Sequence, residues 1–214
     1  MPVTTRVSHP IFARFWSWMS PRMDRSGAAD RRRRLLDGLS GRVLEVGAGN
    51  GLNFAHYPSG VSSVLAVEPE ARLRRIALEN AARSPAPVEV VAGVADGLPA
   101  DDESVDAIVY SLVLCSVPDQ VRALCEGRRV LRPGGQLRFF EHVRAESAGL
   151  RRAQTLLDVT VWPILGGGCH SGRDTEAAIE SAGFAIEELE HFRFPDVRVA
   201  LPTSPHILGT ARLR

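Results

Sequence analysis

Glu45-Val46-Gly47-Ala48-Gly49-Asn50-Gly51 continues the short apolar run Val43-Leu44, and its reading decides the fold. Glycines at alternate positions let the backbone turn tightly at the carboxyl end of a strand and let a ligand approach closely. The stretch is therefore read as a nucleotide-binding turn opening an α/β sheet. A dinucleotide fingerprint would need G-x-G-x-x-G, but Leu52 follows Gly51 and the pattern is E-x-G-x-G-x-G. Glu45 also brings a carboxylate to the place a pyrophosphate would occupy, where like charges repel.

The expected ligand thus lacks phosphates and carries a cationic end, and S-adenosylmethionine meets both conditions. Working outward, Val64-Leu65-Ala66-Val67 reads as a second buried strand ending at Glu68-Pro69. Two ribose hydroxyls can each donate to one oxygen of the Glu68 carboxylate. Helical spacing over 71–83 ends at Pro85, and Val88-Glu89-Val90-Val91 gives a third strand. It leads into Gly93-Val94-Ala95-Asp96-Gly97-Leu98-Pro99, where Asp96 can accept from an adenine amino group and apolar neighbours flank the ring. Residues 105–113 give a fourth strand, and Pro118 is expected to open a helix burying Val121, Leu124 and Cys125. Pro133-Gly134-Gly135 turns into a fifth strand, 136–141.

This β-α-β-α order implies a Rossmann-like parallel sheet with helices on both faces. The tail departs from it. A helix over 175–182 stops at Gly183, and 184–192 and 207–213 follow as strands with no helix between them. They predict a closing antiparallel hairpin, which a nicotinamide-binding domain does not normally have.

The 214 residues suit one domain, read as an N-terminal helical cap (1–38), a cofactor-binding core (39–142) and an acceptor-side loop, helix and closing strands (143–214). Net charge is +1, so no global field favours nucleic acid, and Arg31-Arg32-Arg33-Arg34 reads as a solvated helix face. Cys115, Cys125 and Cys169 lack C-x-x-C spacing, which argues for a reducing compartment and against a zinc site. Arg14 interrupts the apolar N-terminus, so neither a secretory signal nor a membrane span is expected, and the expected address is the cytoplasm.

Taken in order, Val43 to Gly51, Val67-Glu68-Pro69, Ala95-Asp96-Gly97-Leu98-Pro99, Val105-Asp106-Ala107-Ile108-Val109, Val113-Leu114-Cys115-Ser116-Val117-Pro118-Asp119 and Val130-Leu131-Arg132-Pro133-Gly134-Gly135 resemble class I S-adenosylmethionine-dependent methyltransferases. The likeness is to the small-molecule branch that contains ubiquinone/menaquinone methyltransferases. It implies a seven-stranded sheet, cofactor contacts at Glu45, Gly47, Ala48, Gly49, Glu68, Pro69, Ala95 and Asp96, and Ser111 and Leu112 bordering the methionine part. S-adenosylhomocysteine would be the product. Phe140-Glu141-His142-Val143, Leu157-Asp158, Trp162-Pro163, Gly168-Cys169, Arg173-Asp174-Thr175 and Pro205-His206-Ile207 further resemble the methyltransferase-like group that includes alkyl-thiol methyltransferases. Those relatives carry an N-terminal membrane-anchoring segment that this sequence does not show.

Methyl transfer to a small apolar acceptor follows as the expected activity, with a thiol first and a phenol, quinone or lipid amine behind it. A nicotinamide-dependent oxidoreductase and a non-catalytic cofactor-binding protein are the competing readings. His142, just past the fifth strand, is the catalytic candidate. Cys115 and Cys125 read as packing residues, Cys169-His170 as part of a glycine-hinged loop, and no metal is expected. The aromatic stretch from Ile11 to Met19 is expected to close over the cofactor, with a membrane or dimer surface as the alternative.

Overall fold

A computed structural model describes residues 9–160 and 162–213; anything expected of residues 1–8 lies outside them. Seven strands form one sheet: β1 (Gly41–Val46), β2 (Val61–Val67), β3 (Val88–Val91), β4 (Val105–Ser111), β5 (Leu131–His142), β6 (Phe184–Arg193) and β7 (Pro205–Leu213). Their order is β3-β2-β1-β4-β5-β7-β6. The first five pair in parallel, while β7 is antiparallel to both β5 and β6. The seven-stranded, mostly parallel sheet with its terminal hairpin is the architecture read from the sequence.

The helices are α1 (Pro10–Met23), α2 (Ala29–Leu36), α3 (Ala71–Ala81), α4 (Gln120–Val130), α5 (Ala148–Asp158), α6 (Trp162–Leu165) and α7 (Thr175–Ser181). A π-helical segment, Asp24–Ala28, joins α1 to α2 and bends at Gly27. Two apolar cores lie on opposite faces of the sheet. One holds Leu44, Ile108, Tyr110, Leu124 and Phe139; the other holds Leu36, Val43, Phe54, Val109 and Phe140. Alternate residues of β1, β4 and β5 thus enter different cores, as the two-residue period of a strand requires.

Two expectations need correction. The helix after Pro118 buries Ala123, Leu124, Gly127 and Val130, while Val121 is 54% exposed and Cys125 lies at the surface. Asp119 caps the helix by accepting the Arg122 N–H, and the inward face is the one whose Ala123, Leu124 and Val130 join the core with Ile108 and Tyr110. Nor is the arginine run wholly solvated. Arg32 is only 6% exposed, and Arg31 lies over the Phe192 ring and pairs with Glu190. Among the described residues, no helix is long and apolar enough to cross a membrane.

Candidate active site

The parallel strands end on one edge, and the glycine turn lies there. Gly47 adopts φ 64°, and a Cβ on it would lie 2.6 Å from Val113 Cγ2. Side chains are excluded at this position both by backbone conformation and by space. The next strand tip braces the turn, because Glu68 Oε2 accepts the Gly49 N–H at 2.7 Å and its Oε1 accepts the Glu70 N–H at 2.8 Å. Burial raises the Glu68 pKa to about 7 despite these N–H groups and the nearby Arg74 guanidinium, which favour the charged form.

Glu45 is buried, with both carboxylate oxygens held by side chains. Asn53 Nδ2 donates to one of its oxygens at 2.8 Å and the Tyr57 hydroxyl to the other at 2.6 Å. Burial raises this carboxyl to about 7 as well. Arg32 continues the chain of contacts, donating to Asn53 Oδ1 at 2.9 Å, to Asp24 at 2.9 Å and to Ser111 Oγ at 3.4 Å. A helix outside the sheet is thereby tied to the cofactor turn and to the end of β4. Reading the arginines as one solvated face missed this link; the only sequence signal for it was the spacing of Arg32 from Leu35 and Leu36, which share its inward face.

Pro69 and Ala95 flank the same edge, and Ala48 and Ala95 are buried. Asp96 is exposed on the turn closed by the Val94–Gly97 bridge. Leu112, the residue after β4, takes φ 61°, rare for a non-glycine residue. Glu141, 0% exposed, secures the turn that follows by accepting the N–H groups of Val113, Leu114 and Cys115 at 2.8, 2.9 and 3.1 Å. Sequence reasoning gave Glu141 no role of its own. A carboxylate inside a strand's apolar run is the signal that could have found it, since a buried charge needs partners.

α1 covers the turn from outside. Trp16 Nε1 would sit 3.3 Å from a Cβ on Gly49, and Asn50 Nδ2 donates to the buried Ser20 hydroxyl at 2.9 Å. Phe12 meets Gly167 in the acceptor-side loop.

His142 lies at the tip of β5 between two sulfurs: its Nδ1 is 3.5 Å from Cys115 Sγ and 3.6 Å from Cys169 Sγ. Cys115 follows β4, and Cys169 comes from the loop after α6, so three distant segments converge. Backbone contacts fix the convergence, with the His170 N–H donating to Cys115 O at 2.8 Å. Asp158, at the end of α5, accepts the N–H groups of Ser171 and Gly172 at 2.8 and 2.9 Å. The neighbouring Cys115 thiol and His142 hold the Cys169 thiol below its usual range, while Cys169 and burial push Cys115 up. His206 stacks on His142 with ring centroids 4.3 Å apart, and it is kept neutral by burial. Spacing along the sequence does not register this cluster: Cys115 reads as packing from its predicted core face, and Cys169 as part of a hinge from the three glycines before it.

A family model described as a methyltransferase domain matches residues 44–139. Thiol S-methyltransferase TMT1B of Mus musculus is 40% identical over 181 residues, which cover 82% of this chain and 73% of that protein. TMT1A of Homo sapiens, also named a thiol S-methyltransferase, is 36% identical over 201 residues, covering 86% and 78%. A crystal structure of an S-adenosylmethionine-dependent methyltransferase from Thermotoga maritima matches with a TM-score of 0.70 at 23% identity, covering 96% of this chain and 99% of that one. That likeness bears on the fold alone. Similarity this high over most of both chains, joined to the glycine turn and the paired strand-tip acids, establishes that the chain belongs to the thiol S-methyltransferase family and is an S-adenosylmethionine-dependent methyltransferase.

Proposed function

We propose that the enzyme methylates the sulfur of a small apolar thiol. The observation that carries this reading is the Cys115–His142–Cys169 cluster, which closes the sheet edge just beyond Leu112. Methyl transfer is an in-line displacement at a carbon already activated by positive sulfur, so the protein has chiefly to align the acceptor about 3 Å away. A free thiol is only a few per cent thiolate at neutral pH, so the acceptor gains most from a neighbour that favours its anionic form. His142 is the side chain we place beside that sulfur. The relatives named as thiol S-methyltransferases support the same acceptor class.

The cofactor lies, in this reading, against Gly47, Ala48 and Gly49. Glu68 takes the ribose hydroxyls on its remaining lone pairs, and Pro69, Ala95 and Asp96 surround the adenine. Ser111 and Leu112 border the methionine end. Glu45 acts by fixing Asn53 and Tyr57 behind the turn and not by direct contact. α1 is the lid, since Trp16 and Phe12 touch both the cofactor turn and the acceptor-side loop. The free cysteines suit a reducing compartment, and we place the reaction in the cytoplasm.

Assaying thiols, phenols and amines with S-adenosylmethionine tests the acceptor: thioether product is expected, and methylation of phenols or amines with none of any thiol refutes it. His142→Ala should bind S-adenosylhomocysteine normally yet lose most turnover. Unchanged turnover removes His142 from the reaction.

A further inference from the structure

We propose that Cys115, His142 and Cys169 bind one Zn²⁺ ion, with the fourth position left for the acceptor sulfur. The ion site stands on geometry; only its fourth ligand rests on the thiol reading above. Zn–S bonds of about 2.3 Å and Zn–N bonds of about 2.0–2.1 Å at tetrahedral angles require S···N edges of about 3.6 Å. The two S···N separations are 3.5 and 3.6 Å. The three ligand atoms all lie within 4.8 Å of one another, which bounds the S···S edge from above. Two thiolates and an imidazole are the donor set that selects zinc among the common divalent ions.

Contacts with neighbouring elements hold these ligands in place. Glu141 clamps the Cys115 backbone, the His170 N–H ties the Cys169 loop to Cys115 O, and His206 backs the His142 ring. Among the described residues the cluster supplies three ligands and no fourth, the composition of a catalytic zinc and not of a closed structural one. The acceptor R–SH releases its proton to solvent as sulfur joins the ion. The bound thiolate then attacks the methyl carbon, the carbon–sulfonium bond breaks, and its electron pair stays on the cofactor sulfur. S-adenosylhomocysteine and R–S–CH₃ result, and the neutral thioether is a weak ligand that leaves. Zinc changes no oxidation state, so no further reactant is needed.

The test uses the full chain, reduced, loaded with Zn²⁺ and dialysed, with metal measured by mass spectrometry. One zinc per chain is expected. Co²⁺ in its place should give thiolate-to-cobalt charge-transfer bands. Cys115→Ser, Cys169→Ser and His142→Ala should each weaken Zn²⁺ binding by more than the about 10–100-fold that loss of an outer partner costs, while Cys125→Ser, at the surface, retains it. Circular dichroism confirms that each variant is folded, and the cobalt spectrum of the unaltered chain needs no variant. No bound zinc, no charge-transfer band, or a Cys115–Cys169 disulfide that excludes the ion under reducing conditions overturns the site. Full thiol turnover by chelator-treated, zinc-free protein overturns the metal's part and leaves the acceptor assignment intact. Zinc bound through these residues without turnover of any thiol overturns the acceptor assignment and leaves the ion site standing.

Discussion

Replacing Arg32 by Met isolates the link between the helical cap and the cofactor turn. Methionine keeps most of the apolar stem but removes the donors that reach Asp24, Asn53 and Ser111. Asn53 cannot compensate by turning its amide over. Its Nδ2 would then face outward without an acceptor, and its Oδ1 would oppose the Glu45 carboxylate, which now receives that Nδ2. The loss is thus a buried acceptor left bare and an ion pair broken at a site where the two side chains are 7% and 17% exposed. Asp24 can partly rehydrate, so the cost is taken as about 3 kcal/mol, at the lower end for a broken buried pair. For a chain of this size, about 2–4 °C per kcal/mol lowers the melting temperature by about 6–12 °C. Because the network ends on the glycine turn, affinity for S-adenosylhomocysteine should fall about tenfold. Arg33→Met is the control: among the described residues Arg33 pairs with Asp30 alone, at the surface, and its loss should change stability by less than about 0.5 kcal/mol. Thermal unfolding by circular dichroism and titration calorimetry measure both effects. Equal melting temperatures for the two variants would refute the reasoning.

Gly47→Ala should weaken S-adenosylhomocysteine binding at least tenfold by calorimetry, a prediction lost if affinity stays within about twofold. The new Cβ meets Val113 at 2.6 Å, and the left-handed backbone costs roughly 1–2 kcal/mol more. Glu68 predicts a pH dependence. Its folded pKa of about 7 lies above the ordinary 4.5. Its contribution to stability is therefore complete below that ordinary value and is lost as pH rises through about 7. Ribose recognition needs the charged carboxylate, so cofactor affinity should rise over the same interval and level off above about pH 7. Glu68→Gln should flatten that profile; the same slope in both proteins would assign it to another group.

The sheet and the glycine turn were legible because their signals are local. Gly47 to Gly51, Glu68 at a strand tip and the strand pair after Gly183 each carry their meaning within a few residues. For α4 the start was placed two residues early, at Pro118 and not at Gln120, and the buried face was misread because Ala123, Leu124 and Val130 are the residues that meet the core with Ile108 and Tyr110. Arg32 and Glu141 were read as a surface charge and an unremarked strand residue, since their partners lie in other elements. The same holds for Cys115, His142 and Cys169, which are separated by 27 residues at each step and meet only once β4, β5 and the acceptor-side loop are in place.

The position of β7 has a consequence for assembly. β6 precedes it in the chain but lies outside it, so β6 has no neighbour to bond until residues 205–213 slot in beside β5. On a growing polypeptide, the glycine turn and its acids are made long before the wall that carries His206. A chain halted between the two would hold the glycine turn, Glu68 and Asp96 while the sheet still lacked its last two paired strands.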